Sequence, residues 1–116
     1  MLKRNADVTV KNTDVGLKIN IRGEIDHHSA SYLREKIDKA LYLYRPSVLV
    51  LDLRTVTFMD SSGLGLIAGR VDAAQEIGCK VRIENAGREV IKILRISGAD
   101  RLGSLTIEET KEKEKR

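Results

Sequence analysis

Two neighbouring serines stand where the sequence changes from a strand pattern to a helix pattern. Asp60, Ser61 and Ser62 precede the stretch Gly-Leu-Gly at 63–65, after which apolar residues recur at helical spacing. The first turn of a helix offers backbone N–H groups and the positive end of the helix dipole, and both favour a nearby anion. Glycines at such a point let a phosphate or another backbone approach closely. The residues therefore permit a phosphorylated serine at the start of a helix.

A phosphate at this position would act mainly on a docked partner. For the helix itself it is worth about 1 kcal/mol. At an interface it brings roughly −1.5 to −2 charge units beside Asp60, and an uncompensated charge there costs about 2–5 kcal/mol. Since about 1.4 kcal/mol is tenfold in affinity, this predicts a binding switch that needs no refolding. Aspartate and serine are also ordinary helix N-caps, so the residues alone leave the unmodified interpretation open.

A second polar group, Glu24 with Asp26-His27-His28, has residue types that bind metals. Adjacent histidines point to different sides, and the chain has no third histidine, so a catalytic zinc site would lack ligands. We interpret this stretch as a loop leading into a helix, and expect no metal and no cofactor. Cys79 has no base placed beside it, which favours packing over a nucleophilic role.

An alternative with different chemistry is a small dinucleotide-binding protein. Gly63-x-Gly65-x-x-Ala68 matches that fingerprint in form, and Glu84 follows about 20 residues later. Two features argue against it: Asp60 would put a carboxylate where a pyrophosphate binds, and 116 residues leave no room for the second half of such a fold.

The elements that must position these residues begin with two strands. Residues 7–11 and 17–22 alternate apolar and polar, which predicts a hairpin turning at 13–16. Helical spacing follows, and Ser29 or Ser31 is placed to cap the first turn. The residues predicted to face inwards are Val8, Val10, Leu17, Ile19 and Ile21 on the strands and Leu33, Ile37, Ala40, Leu41 and Tyr44 on the helix.

The second half of the chain continues the alternation of strand and helix. The apolar run at 48–51 predicts a central strand buried on both faces. The next helix ends at Gly78, where a left-handed residue is needed. A strand at 80–84 and a helix ending near 97–98 follow, and 102–107 is a last short strand or helix. The inward residues of the helix before Gly78 are predicted to be Leu64, Ile67, Ala68, Val71 and Ala74. This order predicts an α/β fold with a mixed sheet.

The composition is that of one globular domain. Of 116 residues 41% are hydrophobic, and the 21 basic and 17 acidic residues give a net charge of +4 with both signs interleaved. Only 3% are aromatic, so the basic and aromatic surface typical of nucleic-acid-binding proteins is missing. The longest apolar run, 40–44, is far shorter than the roughly 20 residues that cross a bilayer. We expect no nucleic-acid partner, no membrane span and no secretory signal. A single cysteine, which cannot form an internal disulfide, favours the cytoplasm.

Two stretches of the chain resemble a known family. FMDSSGLGLIAGR, residues 58–70, resembles the signature of STAS-domain anti-sigma factor antagonists, and GEIDHHSA, residues 23–30, resembles a second stretch of the sporulation branch, the anti-sigma F factor antagonists. The order and spacing are those of the family over residues 6–108. The resemblance implies a STAS fold, an α/β structure with a mixed, mostly parallel sheet of four to five strands. We expect one STAS domain over 1–116, with a solubilising charged tail at 110–116.

The resemblance also implies a mechanism for a regulatory protein that is not an enzyme. In this family the serine directly after the aspartate is phosphorylated, which corresponds to Ser61. The unmodified protein binds an anti-sigma factor that is also a serine kinase, and so frees the sigma factor. The kinase then uses ATP to phosphorylate the serine, which switches binding off, and a PP2C-type phosphatase reverses the modification.

The residues that the resemblance assigns to partner binding surround this serine. They are Asp26, His27, Asp60, Ser62, Gly63 and Leu64. A monomer is expected. The stretch DHH at 26–28 favours the sporulation branch, and an antagonist for a general-stress sigma factor is the alternative within the family.

Overall fold

A computed structural model describes residues 5–101 and 105–108, in which five strands form one sheet and three α-helices pack on it. The strands are β1 (Ala6–Asn12), β2 (Leu17–Ile25), β3 (Val48–Met59), β4 (Lys80–Glu84) and β5 (Leu105–Ile107). The helices are α1 (Ala30–Tyr44), α2 (Ser61–Glu76) and α3 (Arg88–Ser97), followed by a 3-10 turn at Ala99–Arg101. The last predicted element, a strand or helix at 102–107, is a strand over Leu105–Ile107. Residues 102–104 and the predicted tail at 110–116 lie outside the described residues.

The strands lie in the sheet in the order in which they occur in the chain, β1-β2-β3-β4-β5. β1 is antiparallel to β2, and every later neighbour is parallel, which confirms the predicted mixed, mostly parallel sheet. Right-handed crossovers that all advance in one direction place their helices on the same face of a sheet. α2 accordingly packs against both α1 and α3, and the core lies between these helices and one face of the sheet.

The central strand β3 is buried on both faces at its start, as predicted, although the described helices cover only one of these faces. Leu49 and Leu51 face the helices, while Val50 faces the uncovered side. Val50 lies in register between Lys18 of β2 and Arg82 of β4. The aliphatic stems of such long side chains shield an apolar residue while their charged ends stay in water.

The hairpin turn forms at the predicted residues, and Thr13 organises it. Its backbone N–H and its hydroxyl both donate to the Gly16 carbonyl, at 2.9 and 2.7 Å. Val10 lies on the helix-covered face, as predicted, but its side chain is 37% exposed because β1 is the edge of the sheet.

Two predictions for α1 need correction. Ser29 stands at the N-cap position, but its hydroxyl donates to the Glu24 carbonyl at 2.7 Å and makes no side-chain cap bond, while Ser31 lies inside the helix. The predicted burial of Tyr44 is wrong as well, because Leu41 is the last buried residue and the final turn extends beyond the core.

The buried stripe of α2 is wider than its apolar spacing predicts. Leu64 and Ala68 are half-buried, whereas Leu66 and Arg70 are buried. The reason is that α2 contacts α1 and α3 as well as the sheet, so a second flank of the helix is covered. The helix ends as predicted before Gly78, which has φ of +73°.

A buried ion pair that the sequence did not predict joins α1 and α2. Arg70 is 7% exposed, and its Nε lies 2.7 Å from Oδ1 of Asp38. The contact is an ion pair whose angle falls outside hydrogen-bond geometry. Burial lowers the pKa of Arg70, and the charge of Asp38 opposes that shift. Removing the carboxylate would leave a guanidinium buried without its counter-charge.

We expect the Asp38→Ala substitution to lower the free energy of unfolding by about 1–3 kcal/mol, less than a fully buried pair would lose because Asp38 is partly exposed. Urea unfolding followed by circular dichroism measures this. Glu35→Ala removes an exposed carboxylate from the same helix and is the matched control, with an expected change of at most about 0.5 kcal/mol. Equal losses in the two variants would contradict a stabilising role for the pair.

Candidate functional site

The two stretches that contain the candidate residues meet at the carboxyl ends of β2 and β3. Ile25 pairs with Met59, and the backbone N–H of Asp60 donates to the Ile25 carbonyl at 3.2 Å. Two register shifts between β2 and β3 precede this point, at Asn20/Arg22 and at Gly23/Glu24. Bulges of this kind bend a strand and increase its twist, and here they direct the last residues of β3 into α2.

Asp60 is the N-cap of α2. Its backbone is extended, with φ −109° and ψ −165°, and its carboxylate Oδ1 accepts from the Ser62 N–H at 2.8 Å. Its carbonyl accepts from the Gly63 N–H at 2.9 Å. These N–H groups are therefore not free for a phosphate, in contrast to the sequence-based expectation, because a carboxylate of the chain already occupies the anion position of the helix.

Ser61 is the first residue of α2 and is exposed, whereas Ser62 is half-buried. Among the described residues the Ser61 hydroxyl has no hydrogen-bond partner. It is thus the serine of the two that a second protein can reach without a change in the fold.

Gly63 is buried and allows α2 to sit on the strand ends. A Cβ at this position would overlap Cγ and Sδ of Met59 and lie 3.2 Å from Cγ2 of Ile25. Of the residues predicted to bind a partner, Gly63 can therefore contribute backbone but no side chain, and Leu64 is half-buried beside it.

The dinucleotide alternative lacks the geometry that it needs. Dinucleotides bind where the strand order of a parallel sheet reverses, and the order of the described strands has no reversal.

Asp26 shapes the loop that follows β2. Its Oδ1 accepts from the backbone N–H groups of His28 at 2.9 Å and Ser29 at 3.0 Å. The pKa of Asp26 is lowered, chiefly by the Ser29 N–H, so the carboxylate stays ionised. The rings of His27 and His28 are exposed, with centroids 5.5 Å apart. No group of three or more His, Cys, Asp or Glu residues among those described could hold a metal ion.

One exposed apolar residue at the site escaped the sequence-based prediction. Phe58 is 50% exposed and pairs in register with Glu24, on the face of the sheet that no described helix covers. Alternation along β3 could have revealed it, because the next residue, Met59, is buried. The accessible side chains around Ser61 therefore include an aromatic ring and the charged Glu24.

The comparisons place these features in a known context. The sequence pattern of the STAS domain matches residues 6–114. The anti-sigma-B factor antagonist of Bacillus subtilis (strain 168) is 34% identical over 94 residues, covering 81% of this chain and 84% of that protein. The anti-sigma F factor antagonist of Paenibacillus polymyxa is 34% identical over 82 residues, covering 71% and 70%. These names describe regulatory proteins, which supports the prediction of a protein that is not an enzyme.

Solved structures share the fold. An anti-sigma factor antagonist from Mycobacterium paratuberculosis aligns with a TM-score of 0.71 at 26% identity, covering 87% of this chain and 85% of that one. The antagonist SpoIIAA in its unphosphorylated form aligns with a TM-score of 0.72 at 24% identity, covering 89% of both chains. None of the described helices is long and apolar enough to cross a membrane. The sheet order, the capped helix and these matches agree, and the chain belongs to the STAS-domain family.

Proposed function

We propose that this chain is an anti-sigma factor antagonist whose binding is switched off by phosphorylation of Ser61. The observation that carries the proposal is the exposed, unpartnered Ser61 hydroxyl on the first residue of α2. The relatives named anti-sigma factor antagonists support it. The site of action would be the cytoplasm, where sigma factors work.

The unmodified protein would dock through the surface around Ser61. His27 and Phe58 present exposed rings there, Leu64 is half-buried, and Asp26 and Asp60 hold their loops in place through backbone hydrogen bonds. The partner would be an anti-sigma factor that is also a serine kinase, and its capture frees the sigma factor. We further propose that residues 6–108 form the working unit and that the tail at 110–116 only adds solubility.

Phosphorylation would reverse docking by charge alone. The Ser61 oxygen forms a bond to the γ-phosphorus of ATP, the bond to the leaving ADP breaks, and the hydroxyl proton passes to a base of the kinase. The carboxylates of Glu24, Asp26 and Asp60 already lie at this end of the sheet, and no described residue forms an ion pair with them. A phosphate adds roughly −1.5 to −2 charge units to this surface. A PP2C-type phosphatase would hydrolyse the phosphate ester and restore the hydroxyl.

The branch of the family is the finer part of the proposal. The stretch DHH at 26–28 favours an anti-sigma F partner. An anti-sigma-B partner is the second candidate, because relatives of both kinds are 34% identical to this chain. Pull-down against the two anti-sigma kinases separates them, and capture of the stress-type kinase alone would contradict the sporulation assignment.

Incubation with the anti-sigma kinase and ATP should add one phosphoryl group, visible in the intact mass, and peptide mapping should place it on Ser61. The Ser61→Ala variant should gain none. Ser62→Ala keeps the exposed hydroxyl and is the matched control, which should be modified like the original chain. Phosphate on Ser62 would show that the assignment is wrong by one residue.

Partner affinity should respond to charge at position 61 and not to the loss of the hydroxyl. We expect Ser61→Ala to bind like the unmodified protein and Ser61→Asp to bind tens to thousands of fold more weakly, since a charge left unpaired in an interface costs about 2–5 kcal/mol. Titration calorimetry measures both. Gln75→Glu adds an equal charge at the far end of α2 and should leave the affinity unchanged; a similar loss there would mean that net charge is responsible.

Asp60 should keep the phosphate from stabilising the helix. With phosphoserine incorporated at position 61 during synthesis, urea unfolding should give nearly the same free energy as for the unmodified chain. In Asp60→Ala, which loses about 1 kcal/mol for the missing cap, the Ser62 N–H is free, and phosphoserine should restore about 1 kcal/mol. Equal effects of phosphoserine with and without Asp60 would refute this account of the helix end.

A further inference from the structure

Within residues 5–101 and 105–108, β1 has a neighbouring strand on one side only, so half of its backbone groups point away from the sheet. Two backbone hydrogen bonds show which residues of β1 bond to β2. The Thr13 N–H donates to the Gly16 carbonyl and the Glu24 N–H donates to the Asn5 carbonyl, both at 2.9 Å. Hydrogen-bonded pairs alternate along an antiparallel ladder. The odd-numbered residues of β1 therefore bond to β2, and the even-numbered ones present N–H and C=O groups outwards. The outward residues are Ala6, Val8, Val10 and Asn12.

The side chains of β1 follow the same alternation. Val8 and Val10 pair with the buried Ile21 and Ile19 and lie on the helix-covered face. Asp7, Thr9 and Lys11 alternate with them and start from the uncovered face, where Asp7 pairs with Arg22 and Lys11 pairs with Lys18. The Asp7 carboxylate reaches around the edge of the strand to the Tyr32 hydroxyl of α1. Lys11 thus has a like charge as its neighbour within the sheet and no ion-pair partner among the described residues.

A second β1 can pair with this edge in an antiparallel way if its outward N–H and C=O groups meet those of the first. Three central registers satisfy this condition, with the two-fold axis at Val8, Thr9 or Val10. An axis at Thr9 places Asp7 opposite Lys11 of the second copy, twice, and Thr9 opposite Thr9. It also brings Val8 opposite Val10 on the helix-covered face. An axis at Val8 or Val10 matches neither charge with its opposite. The sequence of β1 is therefore self-complementary in one register, and opposite charges, threonine pairs and β-branched pairs all stabilise facing strands.

We propose that β1 is a self-association edge, on which a second copy of this chain adds its own β1 antiparallel with the two-fold axis at Thr9. The occupant is chosen by charge: the pattern Asp7-x-Thr9-x-Lys11 read in the opposite direction is its own complement. The expectation of a monomer then holds only at low concentration.

Asp7 makes this association weak and reversible. In the single chain its Oδ1 accepts from the Val8 N–H at 2.8 Å and from the Tyr32 hydroxyl at 2.9 Å, and its Oδ2 lies 3.8 Å from Arg22. The first of these bonds occupies the outward Val8 N–H, and occupied backbone donors protect an edge strand from pairing with another chain. On pairing, the Val8 N–H would donate instead to the Val10 carbonyl of the second copy. Because one hydrogen bond is exchanged for another at Val8, the favourable free energy of association comes from the other backbone hydrogen bonds between the two β1 strands and from the two Asp7–Lys11 pairs.

The dimer would leave the switch free. The two-fold axis is perpendicular to the sheet, so the β3 strands of the two copies run in opposite directions. The two Ser61 residues then lie at opposite ends of a continuous sheet, and each copy could bind its own partner. Self-association and phosphorylation are therefore expected to be independent, and the proposal does not rest on the proposed function.

Sedimentation of the full chain over a concentration series up to about 1 mM tests the proposal, because a contact with a dissociation constant of about 1 mM is half-populated there. The weight-average mass should rise from 13.0 kDa towards twice that value. Lys11→Asp and Asp7→Lys should each stay at the single-chain mass, because each places like charges opposite one another. Mixed in equal amounts, these two variants should associate, since each then faces its complement.

Two further variants complete the test. Lys39→Asp makes the same charge change on an exposed position of α1 and should associate like the original chain. Val10→Pro removes an outward N–H that β2 does not use, so the fold should persist while association is lost. This variant decides the matter if Asp7→Lys disturbs the contacts with Tyr32. A constant mass of 13.0 kDa at the highest concentration, or association that Val10→Pro and Lys11→Asp leave intact, would overturn the proposal.

Discussion

The packing of α2 on the carboxyl ends of β2 and β3 is the constraint on which the candidate site depends. Gly63 allows it, because a Cβ there would displace the buried Met59 side chain, and the backbone bond from Asp60 to Ile25 holds it. With the helix held at that point, Asp60 caps it and Ser61 necessarily becomes its first, outward residue. The exposure of one hydroxyl thus follows from a buried glycine two residues away.

Capping by an internal carboxylate changes what a phosphate can do at this helix. Many helix N-termini bind anions through free N–H groups, but here the Ser62 N–H already has the Asp60 carboxylate. A phosphate on Ser61 would find little to bind within its own chain. Its charge would then act on whatever lies against the surface, which suits a switch that alters binding while leaving the fold unchanged.

Most of the architecture could be predicted from local patterns, since a strand such as β4 or the hairpin turn at Thr13 is determined by neighbouring residues. The length of β3 could not, because Arg54, Thr55 and Thr57 are polar and the strand continues through two bulges that only its pairing with β2 creates. Arg70 was missed for a similar reason. A charged residue on a helix predicts an exposed face, and only the approach of Asp38 from another helix makes its burial possible.

At the site itself, residue types predicted which positions come together but not how. Asp26 and Asp60 were expected near the serine and lie there, yet each carboxylate is engaged with backbone N–H groups of its own loop. Tertiary register, which no local pattern contains, also determines that Phe58 projects on the uncovered face.

The sequential order of the strands has a consequence for how the chain acquires its shape on the ribosome. Each of the five described strands pairs only with those that precede and follow it in the chain, so the β1–β2 hairpin can form while β3 is still within the exit tunnel. Each later strand and its crossover helix then add to an existing edge. Vectorial growth of this kind lets the sheet extend by one strand at a time as the chain emerges from the ribosome.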